Sequence, residues 1–223
     1  MREIVFDTET TGLDPESGHR VVEIGCLELV NHLPTGRSFQ RYINPERDMP
    51  EGAFAIHGLS AEFLATHPVF SNVVDEFLAF VGDSRLVIHN AAFDLKFINA
   101  ELRRVNRALL DAARATDTVE MARRKFPGAP ASLDALCKRF NIDNSQRTKH
   151  GALLDAELLA EVYLELVGGR QATLGLAGAE LTVEVEEVVS RTHRPPRPHA
   201  PTADEQAAHQ ALLAKIKDPI WLA

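Results

Sequence analysis

Apolar positions along this chain follow two rhythms, one of period two and one near 3.6. Residues 3–8 carry Ile4, Val5 and Phe6 in succession, as in a strand covered on both faces. A turn follows at Thr11-Gly12-Leu13-Asp14-Pro15. Residues 20–29 and 37–43 read as a second and a third strand, joined by a turn at Leu33-Pro34-Thr35-Gly36. Such short connections make the three an antiparallel meander. Over 69–81 the spacing becomes helical, with Val73, Val74, Phe77, Leu78 and Val81 on one face. A short apolar strand is predicted at 85–89, an amphipathic helix at 91–106 and a last strand at 115–118. Helices at 119–125, 132–140 and 152–166 follow. A meander followed by alternating helices and strands is the pattern of an α/β fold, a mixed sheet covered by helices.

Beyond Gly168-Gly169 the pattern lapses. Residues 177–179 are small, and 191–201 hold four prolines among scattered Arg and His, the composition of a solvated linker. Helical character returns over 204–217 with Leu212, Leu213 and Ile216, and the chain's one tryptophan, Trp221, lies just before the end. A segment this short does not fold alone. An apolar cluster tethered behind a linker is expected to dock, preferentially on a partner protein. The 223 residues thus divide into a domain at 1–170, a linker at 171–203 and a docking segment at 204–223.

Composition sharpens this picture. A chain with 45% hydrophobic and 25% charged residues can bury a real core. A net charge of −8 argues against a broad surface that grips nucleic acid by neutralising phosphates. It leaves a nuclease open, because bound divalent ions bring their own positive charge, but it predicts weak DNA affinity unless a partner holds the substrate. Cys26 and Cys137 lack any ligand spacing and read as buried thiols in a reducing compartment. With no membrane-length apolar run and no charged leader, a cytoplasmic location is expected.

The candidate chemistry lies in three short clusters. Asp7 and Glu9 stand two apart on a strand and project from one face, which is costly unless something cationic sits between them. Asp94 falls in the first turn of the helix that follows His89-Asn90, where an acid also simply suits the helix dipole. His150 precedes the last long helix, Asp155 lies early within it, and Gly151 lets the backbone turn between them. Each cluster alone is weak. Together, four carboxylates and one histidine suit two-metal phosphodiester hydrolysis, which wants hard oxygen ligands for Mg²⁺ or Mn²⁺ and two ions about 3.5–4 Å apart. A neutral imidazole can deprotonate the attacking water, worth roughly 10²–10⁴-fold. Arg147 and Lys149 fit either a substrate-phosphate contact or a solvated loop.

Asp7-Thr8-Glu9-Thr10-Thr11-Gly12, His89-Asn90-Ala91-Ala92-Phe93-Asp94 and His150-Gly151-Ala152-Leu153-Leu154-Asp155 resemble the three motifs of the DEDDh exonuclease family, over about residues 2–170. The likeness is strongest to the proofreading branch that serves bacterial DNA polymerase III. The resemblance implies a ribonuclease H-like fold with a five-stranded mixed sheet, two Mg²⁺ or Mn²⁺ ions, and release of deoxynucleoside 5′-monophosphates from a single-stranded 3′ end. It implies that Asp7 bridges the ions, Glu9 and Asp155 hold the one that activates water, Asp94 supports the other, and His150 is the base. Thr10, His57 and Phe93 match positions lining the terminal nucleotide, His57 within an expected loop at 54–58. Gln171, Leu174 and Leu176 resemble a sliding-clamp-binding peptide that lacks the usual aromatic at its last position. The tail from Asp204 matches the place of a segment that docks the polymerase catalytic (alpha) subunit, and a small theta-like accessory subunit is compatible with the same branch. Two other functions compete: a stand-alone DEDDh nuclease that trims RNA or oligonucleotides, and a non-enzymatic scaffold bridging polymerase and clamp.

Overall fold

The computed structural model describes residues 1–147, 149–169 and 200–216. The chain divides into two units, Met1–Leu176 and Ala177–Ala223. The first is built on a five-stranded sheet of β1 (Arg2–Thr10), β2 (Val21–Val30), β3 (Leu33–Tyr42), β4 (Arg85–Ile88) and β5 (Ala115–Asp117) in the order β3-β2-β1-β4-β5. The meander β1-β2-β3 is antiparallel, whereas β4 and β5 join β1 in parallel. Helices α1 (Glu51–His57), α2 (Ala61–Ala65), α3 (Phe70–Val81), α4 (Ala91–Arg104), α5 (Thr118–Lys125), α6 (Leu133–Phe140) and α7 (Ala152–Leu166) complete the unit. The mixed, helix-flanked sheet agrees with the expected α/β class.

Strand alternation divides the core in two. Ile4, Phe6, Ile24, Cys26, Leu86 and Ile88 pack with Phe77 of α3 and Phe97 of α4. Val5, Leu27, Leu29 and Val87 face the other way, against α5, α6 and α7 through Ala122, Leu136, Leu159 and Val162. Both faces of β1 are therefore apolar from Ile4 to Phe6, just ahead of Asp7, and the two cysteines are buried thiols, one in each half of the core.

Two helices carry the site and are tied down at both ends. α4 starts at Asn90, in the left-handed region with φ 69°. Its exposed backbone donors are met by Asp117 at the end of β5, whose two carboxylate oxygens accept from Asn90 and Ala91 at 3.2 and 3.0 Å. Farther along α4, Glu101 (1% exposed) accepts a forked pair of bonds from Arg20 at 2.6 and 2.9 Å. α7 begins at Gly151, which has no side chain to cap it, and buried Glu23 of β2 accepts instead from the Ala152 N–H at 3.1 Å. At its far end Tyr163 donates to Glu3 at 2.7 Å. Borrowed carboxylates thus satisfy the orphan donors that any helix start exposes.

Two expectations need correction. The β2-β3 turn lies at Asn31-His32, both with positive φ (52° and 67°), and not at Leu33–Gly36. Two consecutive left-handed residues match the right-handed twist of a two-residue hairpin, and Pro34 is tolerated because β3 is an edge strand. His57 ends a helix, α1, and is not in a loop; Gly58 closes that helix in the left-handed region with φ 74°. The helix escapes periodicity because Phe54 and Ile56 are both exposed, so it has no apolar stripe. α2 and two short 3₁₀ turns, Pro15–Ser17 and Ala112–Arg114, are likewise too short to leave a signal. In the second unit, α8 (Ala203–Leu213) starts one residue earlier than expected and ends four short, opened by a capping box between Thr202 and Glu205.

Gly25 of β2 faces Asp7 across the ladder, and a Cβ there would overlap the Ala152 carbonyl and the Leu153 nitrogen at the start of α7. Only a bare backbone permits this approach of helix to sheet. Gly25→Ala is expected to cost about 3 kcal/mol, the upper range for overpacking, and to displace Asp155 from Asp7. Thermal unfolding of the variant checks this, and a wild-type melting temperature would remove the close approach as a constraint.

Candidate active site

β1 runs farther than its parallel neighbour. It pairs with β4 only from Glu3 to Val5, so the residues beyond lie at the carboxyl end of the parallel strands with one edge free. In open α/β sheets ligands bind in such a crevice. There Asp7 and Glu9 project on the α7 side of the sheet, opposite Gly25 and Glu23. Thr8, between them, points to the α4 side, and its N–H and hydroxyl both donate to Asp94 Oδ1, at 3.0 and 2.7 Å. Asp94 is thereby fixed to β1, and α7 delivers Asp155 from the other side. A cavity of about 310 Å³ is lined by Asp7, Glu9, Asp94, Asp155, His150 and Arg147 among others. All five residues expected to form the catalytic set meet in it.

The electrostatics are those of a site short of positive charge. Burial, then Asp94, Glu9 and Asp155, drive the Asp7 carboxyl well above the ordinary range. Burial and the charges of Asp155 and Glu23 raise Glu9 to about 8. Burial raises Asp94 to about 7 although the Thr8 bonds hold it down. Folding thus crowds anionic oxygens where water cannot screen them, the condition that a bound cation relieves. Glu9, His150 and Asp155 each offer a ligand atom within 4.8 Å of the others. Carboxylate oxygens with one imidazole form a donor set that fits a hard divalent cation.

His150 lies at the cleft mouth, its side chain 46% exposed, with Nδ1 3.4 Å from Asp155 Oδ2. Its N–H donates to the Ile56 carbonyl at 3.2 Å, joining the His150 loop to α1. Arg147 is neither solvated nor free for phosphate; it forks onto both Asp155 oxygens at 2.6 Å. Lys149 instead lies over the Phe54 ring, 5.0 Å from its centroid.

A second cavity, of about 630 Å³, shares Thr8, Glu9 and Phe93 with the first and is lined also by Thr10, Leu13, Ile56 and His57. Thr10, His57 and Phe93, far apart in sequence, come together here. His57 Nδ1 accepts from the Leu59 N–H at 3.0 Å, so the neutral ring carries its proton on Nε2, which is buried and unpaired among the described residues. Burial lowers the pKa of this ring and favours its neutral form. Gln171, Leu174 and Leu176 lie outside the described residues.

Two further residues bear on the cleft, Glu23 from behind Glu9 in the sheet and His89 in the lining itself. Glu23 is 2% exposed, and burial raises its carboxyl although Gln40 and the Ala152 N–H donate to it. Its signal was an acid inside the apolar run Val21-Val22-Glu23-Ile24, in register with Glu9. His89 lines the cleft with Nδ1 2.9 Å from the Thr118 hydroxyl, and burial lowers its pKa.

The exonuclease family profile (RNase_T) matches residues 4–163. The DNA polymerase III subunit epsilon of Rickettsia felis (strain ATCC VR-1525 / URRWXCal2) is 51% identical over 222 residues, spanning 97% of this chain and 97% of its own. That of Escherichia coli (strain K12) is 43% identical over 227 residues, spanning 97% and 93%. Among solved structures, Exonuclease X in complex with 5′-overhanging duplex DNA superposes with a TM-score of 0.59 at 24% identity, over 74% of this chain and 90% of that one. The nuclease domain of 3′hExo, a DEDDh family member bound to rAMP, gives a TM-score of 0.64 at 18% identity, over 74% and 91%. Both share the fold. The cleft lies wholly inside the matched stretch and the relatives span nearly the whole chain, so the chain belongs to the exonuclease family, alongside the DNA polymerase III epsilon subunits, and is a metal-dependent 3′→5′ exonuclease.

Proposed function

We propose that this exonuclease binds two Mg²⁺ or Mn²⁺ ions, removes mismatched nucleotides from a single-stranded DNA 3′ end, and edits for a replicative polymerase in the cytoplasm. One observation carries the site reading: Asp7, Glu9, Asp94 and Asp155 converge from β1, α4 and α7 in a buried cleft where their charges repel. The ions, when bound, neutralise that charge, polarise the phosphate and make water a better nucleophile. Asp7, whose carboxyl feels the charges of Asp94, Glu9 and Asp155, would serve both ions. Glu9 and Asp155 would hold the ion that activates water, and Asp94, anchored by Thr8, would support the other. His150 takes the proton of the attacking water at the cleft mouth. In the adjoining cavity the Phe93 ring offers a stacking face for the terminal base, His57 Nε2–H is a donor for the sugar or phosphate, and Thr10 lines the wall.

The tail 204–223 is read as the segment that docks the polymerase catalytic (alpha) subunit. Leu212 of its capped α8 and Ile216 just beyond it are exposed, and the net charge of −8 favours a partner that grips the DNA. Gln171, Leu174 and Leu176 are read as a weak sliding-clamp peptide, and a small theta-like subunit as a further partner of the domain. Among the described residues no helix is long and apolar enough to cross a membrane.

Incubated with Mg²⁺ and a 3′-mismatched primer, the protein should release mononucleotides from DNA in preference to RNA, and Asp7→Ala should reduce this to background. A strong RNA preference would favour the oligonucleotide-trimming alternative, and full activity in Asp7→Ala would remove the metal-ligand assignment. A fragment ending at Gly169 should keep hydrolysis yet fail to co-elute with the catalytic subunit, and co-elution would contradict the tail assignment.

Charge crowding gives a pH test. Glu9 rises on folding from 4.5 to about 8 and Asp94 from 3.8 to about 7. Between the unfolded and folded values the native state binds more protons, so metal-free stability must fall as pH rises through that window. Glu9→Gln should flatten this fall and, in EDTA at pH 8, stabilise the protein by about 2 kcal/mol. Parallel pH profiles for the two proteins would refute the crowding.

A further inference from the structure

Arg147 sits between α6 and α7, its side chain 8% exposed, and holds three groups at once. Nε and Nη2 donate to Asp155 Oδ1 and Oδ2, both at 2.6 Å. Nη2 also lies 2.9 Å from His150 Nδ1. Nη1 donates to Asp134 Oδ1 at 2.9 Å, on an acid whose side chain is 59% exposed at the rim of the cleft. A guanidinium has five donors and no acceptor, so the contact with His150 has one direction: Nδ1 accepts. A neutral imidazole accepting at Nδ1 carries its proton on Nε2. Neither ring nitrogen is then free to take a proton from water. The same guanidinium occupies both oxygens of Asp155 in the planar, two-bonded geometry that carboxylates favour.

We propose that Arg147 is a metal-released latch, which in the ion-free enzyme covers the Asp155 ligand oxygens and blocks the basic nitrogen of His150 together. The inference rests on the reading of Asp155 as a metal ligand and His150 as the base. A divalent cation and the guanidinium carry like charge and compete for the same oxygens, so binding of the one expels the other. Expulsion also frees His150 Nδ1, allowing the ring proton to shift there and Nε2 to accept. Asp134 gives the displaced guanidinium a place at the rim, outside the carboxylate cluster. The base is therefore armed only when the ligand set is filled.

The test follows the arginine itself. In the ¹⁵N-labelled full-length protein in EDTA, the Arg147 Nε–H resonance, assigned by its loss in Arg147→Lys, should exchange slowly with solvent. Saturating Mg²⁺ should shift it and speed its exchange. In calorimetric titrations with Mn²⁺, Arg147→Gln should bind about tenfold more tightly than wild type, as expected when one competing ion pair is removed. A resonance unchanged at saturating Mg²⁺, or Mn²⁺ affinity equal to or weaker than wild type in Arg147→Gln, would make Arg147 a permanent strut of Asp155 and overturn the latch. The resonance measurement on wild type decides the matter even if Arg147→Gln does not fold. If wild type takes up neither Mg²⁺ nor Mn²⁺, the metal reading of the cleft fails, and the latch with it.

Discussion

Repulsion among buried carboxylates is the constraint on which this structure depends. Asp7, Glu9, Asp94 and Asp155 are drawn into one cleft by β1, α4 and α7, and burial strengthens their mutual repulsion by removing the water that would screen it. The rest of the domain can be understood as what keeps these groups together. Two hydrophobic half-cores clamp β1 from both faces, and α4 and α7 are each fixed near both ends. Such strain at a functional site persists only where the surrounding structure over-determines it.

The groups that set the geometry are mostly ones that substrate need never touch. Asp117 accepts from the N–H groups that begin α4 and also from the Val119 N–H of α5, so one carboxylate orients two helix starts. Glu23 performs the equivalent task for α7, and Thr8 anchors Asp94 with both its backbone and its hydroxyl. These are short-range bonds to rigid elements, the kind of support that holds a reactive constellation in place.

Much of this was legible in the chain alone. Asp7 and Glu9 could be placed on one face because a strand alternates with period two, and Asp94 and Asp155 because each lies in the first turn of a helix legible in the sequence. What stayed hidden had a physical reason in each case. α1 has no apolar stripe, since Phe54 and Ile56 are exposed, so the helix that carries His57 looked like a loop. Pro34 and Gly36 are the stronger turn formers, yet the chain reverses at Asn31-His32. Glu23 in a strand ordinarily reads as a solvent-facing position; only the burial of β2 on both faces makes it an internal cap. Arg147 was ambiguous because nothing local in the sequence tells a solvated arginine from one folded back onto Asp155.

The bond from the His150 N–H to the Ile56 carbonyl has a mechanical corollary. Ile56 and His57 belong to α1 and line the larger cavity, while His150 stands at the mouth of the smaller one. Cavity wall and His150 backbone are thus joined peptide to peptide, next to the contact of Lys149 with Phe54 of the same helix. Whatever moves α1 outward pulls directly on the backbone of His150. The wall of the larger chamber and the rim of the smaller one are therefore parts of one backbone-bonded unit.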